Sequence, residues 1–313
     1  MIRHFDQVLA KVAGAPSKRV AVAGAAKTPV LEALAAAVRR ELVEPVLLGP
    51  APRIRELAER LDFDIAPFSL IDTPDDEAAL SARAVAEVKE GRADLLMKGS
   101  VSTERLLKAV LDRAHGLRSG RVLSHVAVAE LPSYPRLMLH TDGGINLHQD
   151  LATRKDILAN AVELARCLEN DHPHVACMAL VEKENPKLPE TLDMSELMRW
   201  AGGGPLGNLI IEGPLAIDVA LSREAAQLKG IPSRVAGRAD IFLGPNISAV
   251  NFVVKSLILL AGAKVAGLVL GAAAPIVLLS RSDSAEIKLL SLALGTLHDE
   301  QEIARRKHRP YFG

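Results

Sequence analysis

Hydrophobic residues along this chain follow two spacings in turn. Short uncharged runs at residues 18–24 (KRVAVAG), 45–48, 93–97 (ADLLM), 122–129, 136–140, 175–181, 208–211 and 239–243 predict buried strands. Between them, apolar residues recur at helical spacing over residues 29–40, 53–61, 77–90, 103–114, 151–167, 194–200, 222–228 and 248–262. The most pronounced passage is residues 266–294, AGLVLGAAAPIVLLSRSDSAEIKLLSLAL. Its glycine- and alanine-rich first half predicts a fully buried strand ending at Ile276-Val277-Leu278-Leu279. Polar residues follow from Ser280 to Ser284, and Ile287, Leu289, Leu290, Leu292, Ala293 and Leu294 then take up helical spacing.

About nine strands alternating with helices predict an α/β fold with parallel strand–helix–strand units. The simplest architecture is two doubly wound α/β/α domains facing a central cleft. In open α/β sheets ligands bind beyond the carboxyl ends of strands, and polar loops in this chain concentrate there. Lys98-Gly99-Ser100 follow one strand, with Thr103 and Lys108 on the next helix; two solvated lysines and a threonine cap are the structural alternative. Asp142 and Asn146 flank Gly143-Gly144, a turn whose glycines permit positive φ. Glu182 and Asn246 follow two further strands, and Asn251 and Lys255 share a helix face at a spacing of four. The turn Ser280-Arg281-Ser282-Asp283-Ser284, between a buried strand and a helix, suits an anion. Against that stands a capping box formed by Asp283 and Glu286. Arg281 resists the structural reading, because a guanidinium directly after a buried strand needs a partner. Residues 24–28 lack the glycine spacing of a dinucleotide or P-loop site.

At 313 residues the chain exceeds one ordinary core and suggests two domains. Hydrophobic residues make up 49% and aromatic residues 3%, so the cores are aliphatic. The 38 basic and 38 acidic residues cancel, which argues against nucleic acid as a partner. No apolar run reaches membrane length, and residues 1–12 form an amphipathic helical pattern unlike a signal peptide. Cys167 and Cys177 are isolated and make neither a disulfide framework nor a metal knuckle. A soluble cytoplasmic protein is expected.

Six segments, in order, resemble the phosphate acetyltransferase and phosphate butyryltransferase family: ADLLMKGSVSTERLLKAVL, HTDGGIN, VEKENPKLPET, EGPLAIDVAL, ADIFLGPNISAVNFVVKSL and GLVLGAAAPIVLLSRSDS. The resemblance implies a fold like that of isocitrate and isopropylmalate dehydrogenases. One domain would comprise residues 1–121 with 277–313 and the other residues 122–276, the site lying in the cleft. It implies reversible transfer of a short acyl group between coenzyme A and phosphate, giving acyl phosphate, with no metal or tightly held cofactor, in a homodimer. Ser280 and Arg281 match the family's active-site serine and arginine, the first for the CoA sulfur and the second for phosphate and acyl oxygen. The polar loop residues Lys98, Gly99, Ser100, Thr103, Lys108, Asp142, Asn146, Glu182, Asn246, Asn251, Lys255 and Ser282 are the candidate substrate contacts.

Three departures from the acetyltransferase branch stand out. Lys108 takes the place of a second arginine near the start of the helix, keeping charge but losing bidentate geometry. Ile287 occupies the position of an aspartate proposed as base, leaving Asp283, Glu286 or the field of Arg281 and the helix to favour the thiolate. Val250 replaces a common glycine. These departures, with SRSDS and VEKENPK, lie closer to the butyryltransferase branch and favour an acyl group longer than acetyl. A non-catalytic acyl-CoA-binding regulatory module of the same fold is the alternative; a dehydrogenase reading lacks the acidic metal cluster.

Overall fold

A computed structural model describes residues 1–278 and 284–308, with side chains through Asp299. By contacts the chain divides into two compact units. The central unit is Met1–Phe5 with Val122–Val265; the N-terminal unit is Asp6–Arg121 with the chain from Ala266 on. No helix among the described residues is long and apolar enough to cross a membrane.

The N-terminal unit begins with α1 (Phe5–Val12) and continues β1 (Lys18–Ala23), α2 (Thr28–Val38), β2 (Val43–Gly49), α3 (Ala51–Arg60), β3 (Ser69–Asp72), α4 (Glu77–Lys89), β4 (Leu95–Lys98) and α5 (Thr103–Val110). Its strands run in the order β3-β2-β1-β4 and are parallel, Val20 facing Leu95 and Val46 facing Ser69. Buried aliphatic residues fill β1, β2 and β4, as expected where helices cover a parallel sheet. The edge strand β3 has no fully buried residue, so its sequence lacks the apolar run that marked its neighbours.

The apolar passage from Ala266 is two strands and not the one expected. β10 (Lys264–Leu270) turns back into β11 (Ile276–Val277), antiparallel with Val269 opposite Ile276, and β11 runs parallel to β4. The turn carries no polar residue to announce it. Gly271 adopts φ 92°, and partners distant in sequence hold the segment: Ser119 Oγ donates to Gly271 O at 2.6 Å and Ala273 N to Leu117 O at 2.8 Å. Helix α11 (Ala285–His308) follows, packing Leu289, Leu290, Leu292 and Leu294 inward.

The central unit contains β5 (Ser124–Glu130), β6 (Met138–Thr141), α6 (Leu151–Cys167), β7 (His174–Met178), α7 (Pro189–Gly202), β8 (Ile210–Leu215), α8 (Ile217–Leu221), α9 (Arg223–Leu228), β9 (Ile241–Leu243) and α10 (Ile247–Ala261). Strand order is β5-β6-β9-β7-β8, parallel except for β5 against β6. The chain's first residues belong here: Ile2 N donates to Leu168 O at 2.8 Å and Phe5 N to Glu130 Oε2 at 2.6 Å. Both units are therefore α/β sheets whose parallel strands end in the loops singled out above.

Candidate active site

In the N-terminal unit, the loops after β1 and β4 lie in backbone contact. Gly99 N donates to Ala23 O at 3.0 Å and Ser100 N to Gly24 O at 2.8 Å. A Cβ on Gly99 would meet Gly24 O at 2.1 Å, so a side chain there would force the loops apart. Lys98, the last residue of β4, is only 8% exposed, and its Nζ donates to Val101 O at 3.3 Å. Burying an ammonium among parallel strand ends is costly, and its position inside the loop contrasts with the solvated lysine of the structural alternative.

The cap of α5 is Ser102 and not Thr103: its Oγ accepts from Arg105 N at 3.4 Å and donates to Glu77 Oε2 at 2.6 Å. Thr103 is half-buried at the first helical position. Lys108 is exposed in the last turn of α5, whereas the resemblance implies a basic group near the helix start. The basic side chain in the first turn is Arg105, which the sequence reading passed over; its place three residues after the capping serine was the available signal.

In the central unit the loop after β6 is organised by Asp142, which is fully buried. Its Oδ1 accepts from His125 N at 3.2 Å, Gly144 N at 3.0 Å and Ile145 N at 3.2 Å. Its Oδ2 accepts from Asn146 N at 2.9 Å and Asn146 Nδ2 at 2.6 Å. Asn146 Nδ2 also donates to Leu123 O at 2.7 Å. Both side chains thus hold the loop's own backbone, and the structural reading of this turn accounts for them. Neither glycine adopts positive φ; Gly143 serves close approach, since a Cβ there would meet Val250 Cγ1 at 2.8 Å.

Helix α10 is seated on that loop. Asn246 caps it, Oδ1 accepting from Ala249 N at 2.9 Å, and Asn251 Nδ2 donates to Gly143 O at 3.1 Å. Val250 is buried between the two loops, its Cγ2 at 2.0 Å from where a Gly244 Cβ would stand. The Gly244–Pro245 turn that leads into α10 is fixed by Arg154, a buried residue the sequence reading missed. Its Nη1 donates to Gly244 O at 3.3 Å and its Nη2 to Pro245 O at 2.7 Å. Burial lowers the Arg154 pKa, and burial also pushes the Cys177 thiol up to about 12, so Cys177 is no nucleophile. Glu182 accepts from Lys229 Nζ at 2.8 Å, and Lys255 stands exposed on α10.

A cavity of about 350 Å³ opens in this unit, lined by residues that include His140, Met178, Phe242, Val250 and Val253. The His140 ring stacks on Phe242 with centroids 4.9 Å apart. Burial holds its pKa down at about 4, so the imidazole is neutral at neutral pH.

Ser280, Arg281, Ser282 and Asp283 lie outside the described residues. Helix α11 is capped by Ser284, whose Oγ accepts from Ile287 N at 3.2 Å. The Asp283–Glu286 box expected from the sequence involves a residue outside the described ones. Among the described residues no group of three or more His, Cys, Asp or Glu side chains is arranged to hold a metal ion.

Comparison with known proteins gives one consistent match. The family described as phosphate acetyl/butaryl transferase matches residues 79–295. A phosphate butyryltransferase of Clostridium acetobutylicum is 40% identical over 297 residues, covering 95% of this chain and 98% of that protein. A phosphate acetyltransferase of Thermotoga maritima is 38% identical over 94% of this chain and 99% of its own length. Among solved structures, a branched-chain phosphotransacylase from Enterococcus faecalis V583 is 32% identical with a TM-score of 0.79, covering 90% of this chain and 99% of that one.

Proposed function

The chain belongs to the phosphate acetyl/butaryl transferase family, and from that premise we propose that it transfers a short acyl group reversibly between coenzyme A and inorganic phosphate. The observation that carries the reading is 40% identity to a phosphate butyryltransferase over 98% of that relative's length. The same coverage favours a catalyst over a regulatory module.

In the direction of acyl phosphate, a phosphate oxygen attacks the thioester carbonyl. The negative charge moves to the carbonyl oxygen, the carbon–sulfur bond breaks, and the departing thiolate is protonated as CoA. We assign Arg281 to the phosphate and the developing oxyanion, and Ser280 to the sulfur, following the resemblance. A guanidinium is the cation suited to both tasks, because its fork binds phosphate oxygens in pairs. Lys98, Ser100, Thr103, Lys108, Asn246, Asn251, Lys255, Glu182 and Ser282 are assigned to substrate contacts. Asp142 and Asn146 contribute by holding the loop on which α10 rests. Lys98 is the strongest of these assignments, since its ammonium is held buried at the carboxyl end of β4. The reaction needs no metal or resident cofactor: coenzyme A is a substrate, and the cations belong to the chain. Asp283, two residues after Arg281, is assigned as the group that exchanges the thiol proton.

The relatives divide between butyryl and acetyl names, and we assign this chain an acyl group longer than acetyl. We further propose a cytoplasmic homodimer. Its support is α10, which exposes Phe252, Leu259 and Leu260 at 70%, 77% and 86% along one face. The deciding assay follows CoA release with a thiol reagent, using acetyl-, propionyl- and butyryl-CoA with and without phosphate. Phosphate-dependent release that is greatest with butyryl-CoA is expected; release independent of phosphate would refute the transfer reading.

A further inference from the structure

The cavity of the central unit sits beyond the carboxyl ends of β6, β7 and β9. We propose that it receives the hydrocarbon part of the substrate's acyl group and sets the chain length the protein accepts. The identity of the occupant rests on the acyl-transfer reading; the existence of the site does not.

Several observations lead there. The volume, about 350 Å³, lies in the range of small-molecule sites. Its walls are apolar, with Met178, Phe242, Ala249, Val250, Val253 and Ile217 prominent. No lysine or arginine lines it, and its charged lining residue is Glu190, so it repels phosphate and the nucleotide end of CoA. That leaves an uncharged, hydrocarbon-rich group as the occupant. His140 supplies the independent sign of a ligand. It is 4% exposed, its Nε2 has no hydrogen-bond partner, and its ring forms part of the lining. Buried polar groups are nearly always paired, and an unpaired one calls for a reason. A neutral imidazole stacked on Phe242 makes an aromatic wall for a hydrocarbon chain, and its unpaired Nε2, in the Nε2–H tautomer, can donate to a carbonyl oxygen.

Val250 connects the cavity to the departure noted in the sequence. The resemblance implies glycine at this position, and the isopropyl group here both lines the cavity and wedges Gly143 and Gly244. A pocket discriminates by filled volume, one methylene being worth roughly 10–200-fold in selectivity.

The test narrows the cavity from two elements. Val253→Phe adds bulk from α10, at a residue outside the packed core cluster, and Ile217→Trp adds bulk from α8 at a position already 44% exposed. In each, the ratio of kcat/KM for butyryl-CoA to that for acetyl-CoA is expected to fall at least tenfold. A smaller change in both variants overturns the proposal. Should Val253→Phe fail to fold, Ile217→Trp decides alone.

Binding is read separately by NMR on histidine-labelled protein, titrated with S-butyryl-N-acetylcysteamine, an uncharged thioester without the nucleotide. The His140 signal, identified by its loss in His140→Phe, is expected to shift saturably in the parent and to stay fixed in the narrowed variants. If the parent transfers no acyl group to phosphate at all, the functional reading falls and this titration alone judges the cavity. A saturable shift then keeps it as a site for short acyl chains, and no shift overturns it.

Discussion

Arg281, proposed for the phosphate and the oxyanion, and His140, on the wall of the cavity, announce themselves in the sequence very differently. Arg281 is singled out by the sequence alone, because a guanidinium directly after a core strand has few structural uses, and it lies outside the described residues. Its substitution Arg281→Ala is expected to lower turnover at least about a hundredfold, the scale of one lost electrostatic contact. The melting temperature should stay within a few degrees of the parent's, and near-normal turnover would sink the assignment. His140 gave no such signal: a histidine at the end of an apolar strand looks like any other strand residue until burial and stacking are known. Its depressed pKa has a consequence for stability. Between pH 6.5 and about 4 the unfolded chain binds a proton at this imidazole and the folded chain does not. Stability therefore falls as pH drops through that window, by no more than about 3 kcal/mol from this residue. Urea unfolding of His140→Gln should show a shallower loss between pH 6.5 and 4 than the parent. Parallel pH curves would mean that the imidazole is protonated in the fold. Asp142 was singled out as a substrate contact, yet its carboxylate is occupied by backbone amides of its own loop and by Asn146. Residue type and position were readable; the partners were not.

At the scale of elements, the β9–α10 connection is the most tightly specified. Arg154 holds the carbonyls of Gly244 and Pro245, Asn246 caps the helix, and Val250 fills the space that the absent side chains of Gly143 and Gly244 leave. Gly244→Ala places a methyl 2.0 Å from Val250 Cγ2, so the strand–helix junction must shift. That substitution alone is expected to cost about 2 kcal/mol, the scale of overpacking a filled core. Combined with Val250→Ala, which removes the opposing methyls, the cost should shrink by at least half. Additive losses in the double variant would show that the two residues do not meet. The cap of α11 teaches a related lesson. Asp283 and Glu286 have box spacing, and one residue on Ser284 Oγ accepts from Ile287 N at 3.2 Å, a contact that the sequence did not single out. Several capping residues in a row leave the exact helix start undecided in the sequence.

For the whole molecule, the apolar face of α10 makes the strongest statement. Phe252, Leu259 and Leu260 stand exposed on a helix whose other side is committed to the core and the cavity. The double substitution Phe252→Glu with Leu259→Glu is expected to convert the proposed dimer to a monomer in sedimentation velocity, with the fold retained by circular dichroism. A parent that sediments as a monomer at every concentration would remove this role from α10. The sequence by itself determined the alternation of strands and helices and the concentration of polar loops after strands, because periodicity reports which face of each segment meets a core. It left the edge strand β3 unseen, since a half-exposed strand has no such face. Only the tertiary structure decided that the passage from Ala266 folds back on itself and that β11 lies beside β4. An apolar alanine-rich run is equally suited to one long strand or two short ones. What separates the two is a turn held by Leu117 and Ser119, residues about a hundred and fifty positions away in sequence. Hydrogen bonds of that range leave no trace in local pattern, and the cavity and its unpaired histidine arise from the same long-range packing.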